Sequence, residues 1–171
     1  MKKPNKKLVS QYYPFLVAGC LIEKDNKILL VKEGMVERGK WNQPAGWIDK
    51  NENPIKAAQR EAEEETGLKI KIKNFLGIYS FTKRKQVLWS GDGPMDVHAV
   101  KLIFLAKVIG GKIKFDNKEI IDAKFFKPEE IFKLRKKDLR DYDIIDEVKD
   151  YLAGKKYPIN IIKHIKFTAK Y

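Results

Sequence analysis

The sequence predicts an α/β (α+β) domain in which a mixed β-sheet lies between helices on both of its faces. Short apolar runs rich in Val, Ile and Leu alternate with amphipathic segments, the pattern of strands and helices that pack on one another. Gly and Pro residues mark the turns, and no repeat or low-complexity linker interrupts the series. The 171 residues fit a single domain, 1–171, with a core of about residues 13–155 and basic extensions at both ends.

The chain opens with a predicted β-hairpin. Residues 15–22 and 27–31 are apolar, and the polar residues between them place a turn around Asp25 and Asn26. A polar loop over residues 34–40 leads into WNQPAG at residues 41–46, where Pro44 and Gly46 rule out a helix interior.

A helix is predicted to follow this loop. Asn53 can cap it, and Pro54 suits its first position because the N–H that proline lacks has no helical partner there. The helix extends to about Thr66 and ends at Gly67, a glycine expected in the left-handed conformation. The face that would pack on the sheet is a narrow apolar stripe of Ile55, Ala58 and Ala62.

The second half of the chain predicts two longer strands, over residues 68–82 and 97–109, on either side of an SGDGP loop. Gly110 and Gly111 predict a turn. The remaining elements are a strand, a short helix and an amphipathic helix, over residues 119–126, 127–134 and 142–152.

Glutamates on the first predicted helix indicate a cation site. Glu61, Glu64 and Glu65 are spaced so that they share one face of the helix, where like charges repel. A bound cation would offset this repulsion. Because the candidate ligands are carboxylate oxygens, the pattern favours Mg²⁺ or Mn²⁺ over zinc.

The segment GWIDKNENPIKAAQREAEEETGL, residues 46–68, resembles the signature of the Nudix hydrolases. Its defined positions are all filled, by Gly46, Glu52, Arg60, Glu61, Ala62, Glu64, Glu65, Gly67 and Leu68. The resemblance implies the α/β/α sandwich of that family and metal-dependent hydrolysis of a diphosphate linkage by water. The alternative is a surface helix with a solvated acidic face, which leaves the two glycines and the spacing unexplained.

The same resemblance implies roles for individual side chains. Glu61 and Glu65 match the metal ligands, and Glu64 either joins them or acts as the base. Arg60 matches an arginine that pairs with and orients the carboxylates, so the implied catalytic set is Glu64, Glu61 and Arg60. Glu52 would hold the preceding loop to the helix and reach a metal through water.

The glycines and the turn at residues 44–46 complete this segment. Gly46 and Gly67 are the motif glycines at its start and near its end. The turn at Pro44 would aim the main-chain carbonyl of Ala45 at the helix face, which makes that carbonyl a further candidate metal ligand.

Candidate substrate-binding residues lie outside the motif. Many family members supply another acidic residue from a later loop, and Glu119 and Asp122 are the candidates here. Tyr79 and Phe81 could stack on a base or pyrimidine ring, and Arg84 could meet a terminal phosphate. Additional candidates are Trp41, Trp47 and Trp89 for the ring and Lys83 and Lys85 for the phosphate, while His98 is expected to be a structural histidine.

Two short segments resemble the NudJ-type phosphatases within the family: the WNQPAG lead-in and the late Lys156–Tyr157–Pro158 element. This resemblance implies nucleoside tri- and diphosphates, hydroxymethylpyrimidine pyrophosphate or thiamine pyrophosphate as substrates. The lead-in departs from the NudJ pattern at Trp47, Ile48 and Asp49, so the choice among these substrates stays open.

The net charge of +13 at pH 7 is interpreted first as serving solubility, and the alternative is that it attracts polyanionic substrates such as phosphorylated metabolites or RNA. We expect a small phosphorylated substrate. An RNA 5′-end pyrophosphohydrolase is the alternative enzyme, and it predicts a continuous positive groove that leads to Glu61. A non-catalytic binding module would be expected to lose carboxylates of the motif, and none is missing here.

No apolar stretch reaches the length of about 20 residues that a membrane-spanning helix needs. The single cysteine, Cys20, excludes an internal disulfide and fits a reducing cytoplasm. The apolar run that ends at Cys20 imitates a lipoprotein signal, but it contains Pro14 and continues past the cysteine as a buried strand would. We therefore expect a cytoplasmic monomer or homodimer without membrane partners.

Overall fold

A computed structural model describes residues 14–35, 37–87 and 94–166. Within them, seven strands form one sheet, and helices cover both of its faces. The strands are β1 (Phe15–Lys24), β2 (Lys27–Glu33), β3 (Trp41–Asn42), β4 (Ala45–Trp47), β5 (Leu68–Val87), β6 (Pro94–Gly111) and β7 (Ile120–Phe126). The helices are α1 (Pro54–Thr66), α2 (Pro128–Phe132) and α3 (Ile144–Leu152), with 3₁₀ turns at Lys136–Asp138 and Ile159–Ile161.

The sheet is mixed, as predicted. Its strand order is β3-β2-β1-β6-β5, with β4 paired to β1 and β7 paired to β2. β1 and β6 run parallel from Phe15 to Glu23, and the other pairs are antiparallel. The long β5–β6 pair forms one side of the sheet and carries several register shifts.

Two apolar clusters lie on opposite faces of the sheet, which confirms the sandwich. Alternate residues of β1 supply both, since Ala18 and Cys20 face one cluster and Leu21 faces the other. Small residues of α1 pack into the first cluster, whereas α2 and α3 pack into the second. The helix residues that belong to these clusters are Ala57, Ala58 and Ala62 on one side and Ile131, Ile144, Ile145 and Val148 on the other.

Local sequence accounts for the first hairpin and for α1. Asp25 and Asn26 have φ values of 52° and 57°, the left-handed pair that a two-residue hairpin turn requires. The side chain of Asn53 caps α1 by accepting a hydrogen bond of 2.8 Å from the Ile55 N–H. At the other end Gly67 has φ 68° and donates its N–H to the carbonyl of Glu63.

The strands β5 and β6 are longer than predicted. The prediction of a turn at Gly110 and Gly111 was wrong, because both residues continue β6 and pair with Lys69 and Leu68 of β5. Cross-strand pairing outweighs the local preference of two glycines for a turn. Most of the predicted SGDGP loop, and the neighbouring Trp89, lie outside the described residues.

Cys20 is fully buried in β1, and its Sγ lies 3.5 Å from the carbonyl oxygen of Ala58. Burial raises the pKa of its thiol. The cysteine is thus a core residue of a strand, as its apolar surroundings in the sequence predicted. Among the described helices none is long and apolar enough to cross a bilayer.

On one side of β1, two different strands form its hydrogen-bonded neighbours, β2 at one end and β4 at the other. β2 pairs with β1 only at Glu23 and Lys24, whereas β4 pairs with it at the other end, from Val17 to Gly19. The main-chain carbonyl of Pro44 accepts a hydrogen bond of 3.0 Å from Cys20. The short strand β4 is therefore fixed to the sheet directly beside α1.

Candidate active site

The strand β4 lies so close to α1 that position 46 has no room for a side chain. A Cβ on Gly46 would stand 2.0–2.3 Å from the carboxylate atoms of Glu61. One residue earlier, the Ala45 N–H donates to Oε2 of Glu65 at 3.2 Å. The motif glycine thus allows the main chain of β4 to approach two carboxylates of the helix.

Arg60 connects the loop before α1 to the helix. Its guanidinium donates two hydrogen bonds of 2.9 Å to Glu52 and one of 3.1 Å to the carbonyl of Trp47. The same group reaches Glu61 at 2.7 Å and Glu64 at 3.2 Å. Hydrogen bonding to Arg60 lowers the pKa of Glu52, and the arginine remains a cation. Arg60 therefore orients the carboxylates around it.

Burial dominates the electrostatics of the other acidic groups. It raises the pKa of Glu65 well above the ordinary carboxyl value, and repulsion from Glu33 and Glu61 raises it further. Burial also raises the pKa of Glu61, although Arg60 partly offsets this. Negative charge on these two carboxyl groups is therefore unfavourable unless a nearby cation balances it.

Two adjoining concavities meet at these side chains. The first, which we call the carboxylate cleft, encloses about 300 Å³ and is lined by Glu33, Met35, Ala45, Gly46, Trp47, Glu61, Glu65, Glu119, Ile120 and Arg140. The second, the acidic depression, is lined by Glu61, Glu64, Glu65, Asp116, Glu119 and Ile120. Five carboxylates therefore surround one small surface hollow.

Glu119 reaches this site through a loop that Asp116 organises. The Asp116 carboxylate accepts hydrogen bonds from the main-chain N–H groups of Lys118, Glu119 and Ile120, at 2.9, 2.9 and 3.2 Å. These bonds lower its pKa. The sequence analysis named Glu119 but missed Asp116, for which the Asp-Asn pair before a strand was the available signal. Asp122 instead lies exposed on β7.

Arg140 is the basic residue that faces the carboxylate cleft. Its guanidinium pairs with the buried carboxylate of Glu33 on β2. Its main-chain N–H donates a hydrogen bond of 2.9 Å to the main-chain carbonyl of Trp41. Sequence analysis did not identify Arg140 as a site residue. Its role at the cleft depends on the fold, because β2 and the segment after α2 are far apart in sequence.

A third concavity, the aromatic pocket, lies on the other side of β4. It has a volume of about 120 Å³. Its lining includes the rings of Phe15, Trp47 and Phe81 and the polar side chains of Asn42, Lys83, Lys101, Arg140 and Asp141. It shares Ala45, Gly46, Trp47 and Arg140 with the carboxylate cleft.

A buried ionic network forms one wall of this pocket. Lys101, only 2% exposed, lies 3.0 Å from Oδ2 of Asp141 and 3.1 Å from Oδ2 of Asp143. Lys83 lies 2.7 Å from Oδ1 of Asp141. The sequence analysis missed this network, although a lysine inside the apolar run of residues 100–105 was a signal for it.

The predicted aromatic candidates separate into two groups. Phe81 lines the aromatic pocket, with the ammonium of Lys101 at 5.1 Å from its ring centre. Trp47 stacks on Phe15 with ring centres 5.0 Å apart. Tyr79 instead packs against the second core cluster and donates its hydroxyl to Asp150 at 2.9 Å. Trp41 packs edge-on against Phe126 of that cluster.

The predicted phosphate-binding candidates also differ in their surroundings. Arg84 is exposed and lines a further concavity, which we call the basic groove because its basic side chains outnumber the acidic ones. Its charged and aromatic lining residues are Glu37, Lys40, Phe81, Lys83, Arg84, Lys136, Lys137, Arg140, Tyr142 and Asp143. Lys83 is already engaged in ion pairs with Glu37 and Asp141. His98 is exposed and forms a hydrogen bond of 2.9 Å with Ser80. The side chain of Lys85 lies outside the described residues.

The donor set fits a hard divalent cation. All the acidic side chains around the hollow offer oxygen ligands, which Mg²⁺ and Mn²⁺ prefer. The raised pKa values of Glu61 and Glu65 also favour a bound cation, because it would stabilise the ionised carboxylates. Across the described ranges, however, no three His, Cys, Asp or Glu side chains are gathered closely enough to hold a metal ion. Instead Glu61 is drawn to Arg60, and Glu65 to the main chain of Ala45.

Comparisons with known proteins agree with this geometry. The model of the NUDIX domain family matches residues 14–148. Over 155 residues the chain is 34% identical to a Methanocaldococcus jannaschii protein named ADP-ribose pyrophosphatase, covering 90% of this chain and 82% of the relative. It is 25% identical over 153 residues to phosphatase NudJ of Escherichia coli K12, covering 88% of this chain and 92% of that protein.

Solved structures show the same likeness. A NUDIX hydrolase from Nitrosomonas europaea is 31% identical with a TM-score of 0.73, covering 89% of this chain and 97% of that one. The MutT protein of Methanosarcina mazei, at 20% identity, shares the fold with a TM-score of 0.66, covering 82% and 95%. The matched family model and the similarity to the archaeal relative show that this chain belongs to the Nudix domain family, as a Nudix hydrolase.

Proposed function

We propose that this enzyme hydrolyses the diphosphate linkage of a small nucleotide or pyrimidine compound with the help of Mg²⁺ or Mn²⁺. The candidate substrates are nucleoside di- and triphosphates and pyrimidine or thiamine pyrophosphates. ADP-ribose joins them because one relative carries that name. The observation that carries the proposal is the hollow lined by five carboxylates, directly beside Arg140 and the aromatic pocket.

Different side chains of the site would bind the cation, orient a carboxylate and act as the base. Glu61 and Glu65 would hold the cation, with the carbonyl of Ala45 and a water-mediated contact to Glu52 as further ligands. The cation would neutralise phosphate charge and lower the pKa of a bound water. Arg60 keeps Glu61 oriented through its 2.7 Å hydrogen bond. Glu64, whose side chain is 62% exposed, is the candidate base, because solvent can reach it beside the hollow.

Arg140 supplies positive charge between the two halves of the proposed substrate site. It lines both the carboxylate cleft and the aromatic pocket. A diphosphate that spans these two spaces would pass the guanidinium, whose planar donors suit phosphate oxygens. We therefore assign Arg140 the binding of the phosphate next to the ring-bearing part of the substrate.

The first test is release of phosphate and of nucleoside monophosphate from a panel of substrates, with and without Mg²⁺. The panel holds nucleoside triphosphates, ADP-ribose, thiamine pyrophosphate and 5′-triphosphorylated RNA. We expect metal-dependent turnover of one small diphosphate class.

Glu64→Gln should lower kcat about 10²- to 10⁴-fold, the usual contribution of a general base. Glu129→Gln, on the exposed face of α2, is the matched control, and equal activity of the two variants would contradict the proposal.

Gly46→Ala gives a second, structural test. The added methyl group would occupy the space of the Glu61 carboxylate, which is the movable end of a side chain, so the fold should persist while Glu61 shifts. A shift of about 1 Å at a reacting site can cost about 10²-fold in rate. We expect that loss in kcat, with a melting temperature close to wild type. Wild-type turnover would show that the close approach of β4 is not needed.

One observation favours RNA 5′ ends as a second candidate substrate. The basic groove shares Lys83 and Arg140 with the aromatic pocket, so positive side chains continue toward the carboxylate cleft. Because Lys83 pairs with Glu37 and Asp141, the exposed lysines Lys136 and Lys137 would provide much of the attraction. If RNA is the substrate, Lys136→Glu combined with Lys137→Glu should weaken its turnover strongly at low salt and little at high salt. The same change should leave small diphosphates unaffected.

A further inference from the structure

Three polar side chains meet where α3 packs against the chain that leads into β4. They are Gln43, Asp143 and Glu147, and both Gln43 and Glu147 are fully buried. The Nε2 of Gln43 donates a hydrogen bond of 3.1 Å to Oε1 of Glu147. Asp143 and Glu147 lie one helical turn apart, and the Glu147 N–H donates to the Asp143 carbonyl at 2.9 Å. This junction therefore connects α3 to the segment beside the carboxylate cleft.

Two carboxyl oxygens at the junction lack a hydrogen-bond donor among the described residues. They are Oε2 of Glu147 and Oδ2 of Asp143, and both have almost no accessible surface. Lys101 lies 3.1 Å from Oδ2 of Asp143, but its hydrogen bond goes to Oδ1 at 3.2 Å. Buried acceptors are nearly always satisfied in folded proteins. One proton on either acid satisfies both oxygens, because the protonated oxygen donates to the other.

The surrounding charges place that proton on Glu147. Lys101 contacts Asp143 directly, which favours the ionised form of the aspartate, whereas no cation of the described residues forms an ion pair with Glu147. Burial raises the pKa of Asp143 and raises that of Glu147 well above its ordinary value. The buried residues of α2 are uncharged. The ionisable groups that face Glu147 are Lys101 on β6, Tyr79 on β5, and Asp141 and Asp143 before α3.

The other oxygen of Glu147 holds the turn before β4. Its hydrogen bond from Gln43 fixes the residue that precedes Pro44. The carbonyl of Pro44 accepts a hydrogen bond of 3.0 Å from the Cys20 N–H, and Ala45, the next residue, meets a carboxylate of α1. The position of this turn therefore depends on α3 as well as on β1.

We propose that Glu147 is a positioning residue that stays protonated in the folded protein. Its hydroxyl donates to Oδ2 of Asp143, and its carbonyl oxygen accepts from Gln43 and so holds the turn that leads into the site. The side chain must donate on one side and accept on the other, which an ionised carboxylate cannot do. The link to catalysis rests on the proposed function, whereas the proton is tested without it.

Urea unfolding of wild type and Glu147→Gln across a range of pH, in EDTA, tests the proton. A glutamine has the donor and acceptor of the protonated acid but does not titrate. Above the ordinary carboxyl pKa, the unfolded wild type releases this proton while the folded protein keeps it. The contribution of the protonated group to stability is fully present below the ordinary pKa and is lost as the pH rises through the raised value. Within that window, we expect the unfolding constant of wild type relative to the variant to rise about tenfold per pH unit.

Glu129→Gln, on the exposed face of α2, is the matched control, and its unfolding constant should keep a fixed ratio to that of wild type. A fixed ratio for Glu147→Gln would overturn the inference. An infrared difference spectrum, wild type minus Glu147→Gln at neutral pH, identifies the group directly. We expect the carbonyl stretch of a carboxylic acid. The bands of an ionised carboxylate, such as one bonded to a buried water, would overturn the inference.

Amide hydrogen exchange tests the positioning of the turn. Glu147→Met keeps the volume of the side chain but cannot accept from Gln43, whereas Glu147→Gln keeps both hydrogen bonds. The Cys20 amide, which bonds to Pro44, should exchange about 5- to 10-fold faster in the methionine variant, relative to amides of the β5–β6 pair. The glutamine variant should match wild type. Equal exchange in all three proteins would overturn the inference, and if the methionine variant does not fold, the pH and infrared comparisons decide.

Turnover links the junction to the site and separates this inference from the proposed function. The kcat of folded Glu147→Met should fall about 10²-fold, as misplacement of reacting groups does, while Glu147→Gln should retain wild-type turnover. Wild-type kcat in the methionine variant would overturn the positioning role. A proton held by Glu147 without hydrolysis of any diphosphate would remove the proposed function and keep the proton. Hydrolysis with a pH-independent ratio of unfolding constants would do the reverse.

Discussion

Glu65→Gln is expected to abolish most hydrolysis and, in the absence of metal, to make the protein more stable. The carboxylate of Glu65 is buried near Glu33 and Glu61, which raises its pKa well above the ordinary value. A carboxyl whose pKa is raised in the folded state favours folding only while protonated. The contribution of the protonated carboxyl group to the stability of the fold is fully present below the ordinary carboxyl pKa. It is lost as the pH rises through the raised value. At neutral pH, a glutamine removes the cost of the buried charge.

Added metal should reverse the order of the melting temperatures of wild type and Glu65→Gln. Binding of a cation to the folded wild type raises its melting temperature by mass action, whereas Glu65→Gln lacks one of the proposed ligands. We expect the metal-free variant to melt above metal-free wild type, by about 2–4 °C for each kcal/mol gained. Added Mg²⁺ should stabilise only the wild type, and turnover should fall about 10²- to 10³-fold in the variant.

Thermal unfolding at neutral pH, with EDTA or with added Mg²⁺, measures both effects. Glu129→Gln on the exposed face of α2 is the control, and it should shift neither melting temperature. A Glu65→Gln variant that binds Mg²⁺ and turns over substrate as wild type does would remove Glu65 from the proposed site.

Lys101→Met is expected to destabilise the fold strongly. The ammonium of Lys101 is buried between Asp141 and Asp143. Burial alone would raise the pKa of Asp141, but Lys101, Lys83 and Arg140 together hold it well below the ordinary value. Removal of one partner of a buried ion pair leaves an uncompensated charge and typically costs about 3–5 kcal/mol. A methionine keeps the volume of the side chain but leaves the two aspartates without this cation.

Urea unfolding at neutral pH measures the loss in the free energy of unfolding of Lys101→Met. The matched control is Lys107→Met on the same strand, because Lys107 is exposed and pairs with Glu23 at 3.3 Å. Exposed pairs of this kind contribute about 0–1 kcal/mol. Adding Asp141→Asn to Lys101→Met should recover part of the loss, since it removes one uncompensated charge. A loss below about 1 kcal/mol for Lys101→Met would show that the aspartates are satisfied without it.

The sequence by itself determined the elements whose causes are local. Asp25 and Asn26 specify the first turn, and Asn53 and Gly67 specify the two ends of α1, because each acts on main-chain groups a few residues away. The spacing of Glu61, Glu64 and Glu65 likewise places them on one face of α1, because residues three and four apart are neighbours on a helix. A one-dimensional pattern suffices where the interacting groups are near neighbours in the chain.

Only the tertiary structure decided what surrounds those glutamates. Asp116 and Arg140 reach the site from segments far along the chain, and their approach depends on sheet pairing. The sequence could not separate Phe81, which lines the aromatic pocket, from Tyr79, which bonds to α3. Both lie on β5, and only long-range packing distinguishes them. Asn42 shows the same limit, because an amide becomes an unpaired buried acceptor only once strands from distant segments enclose it.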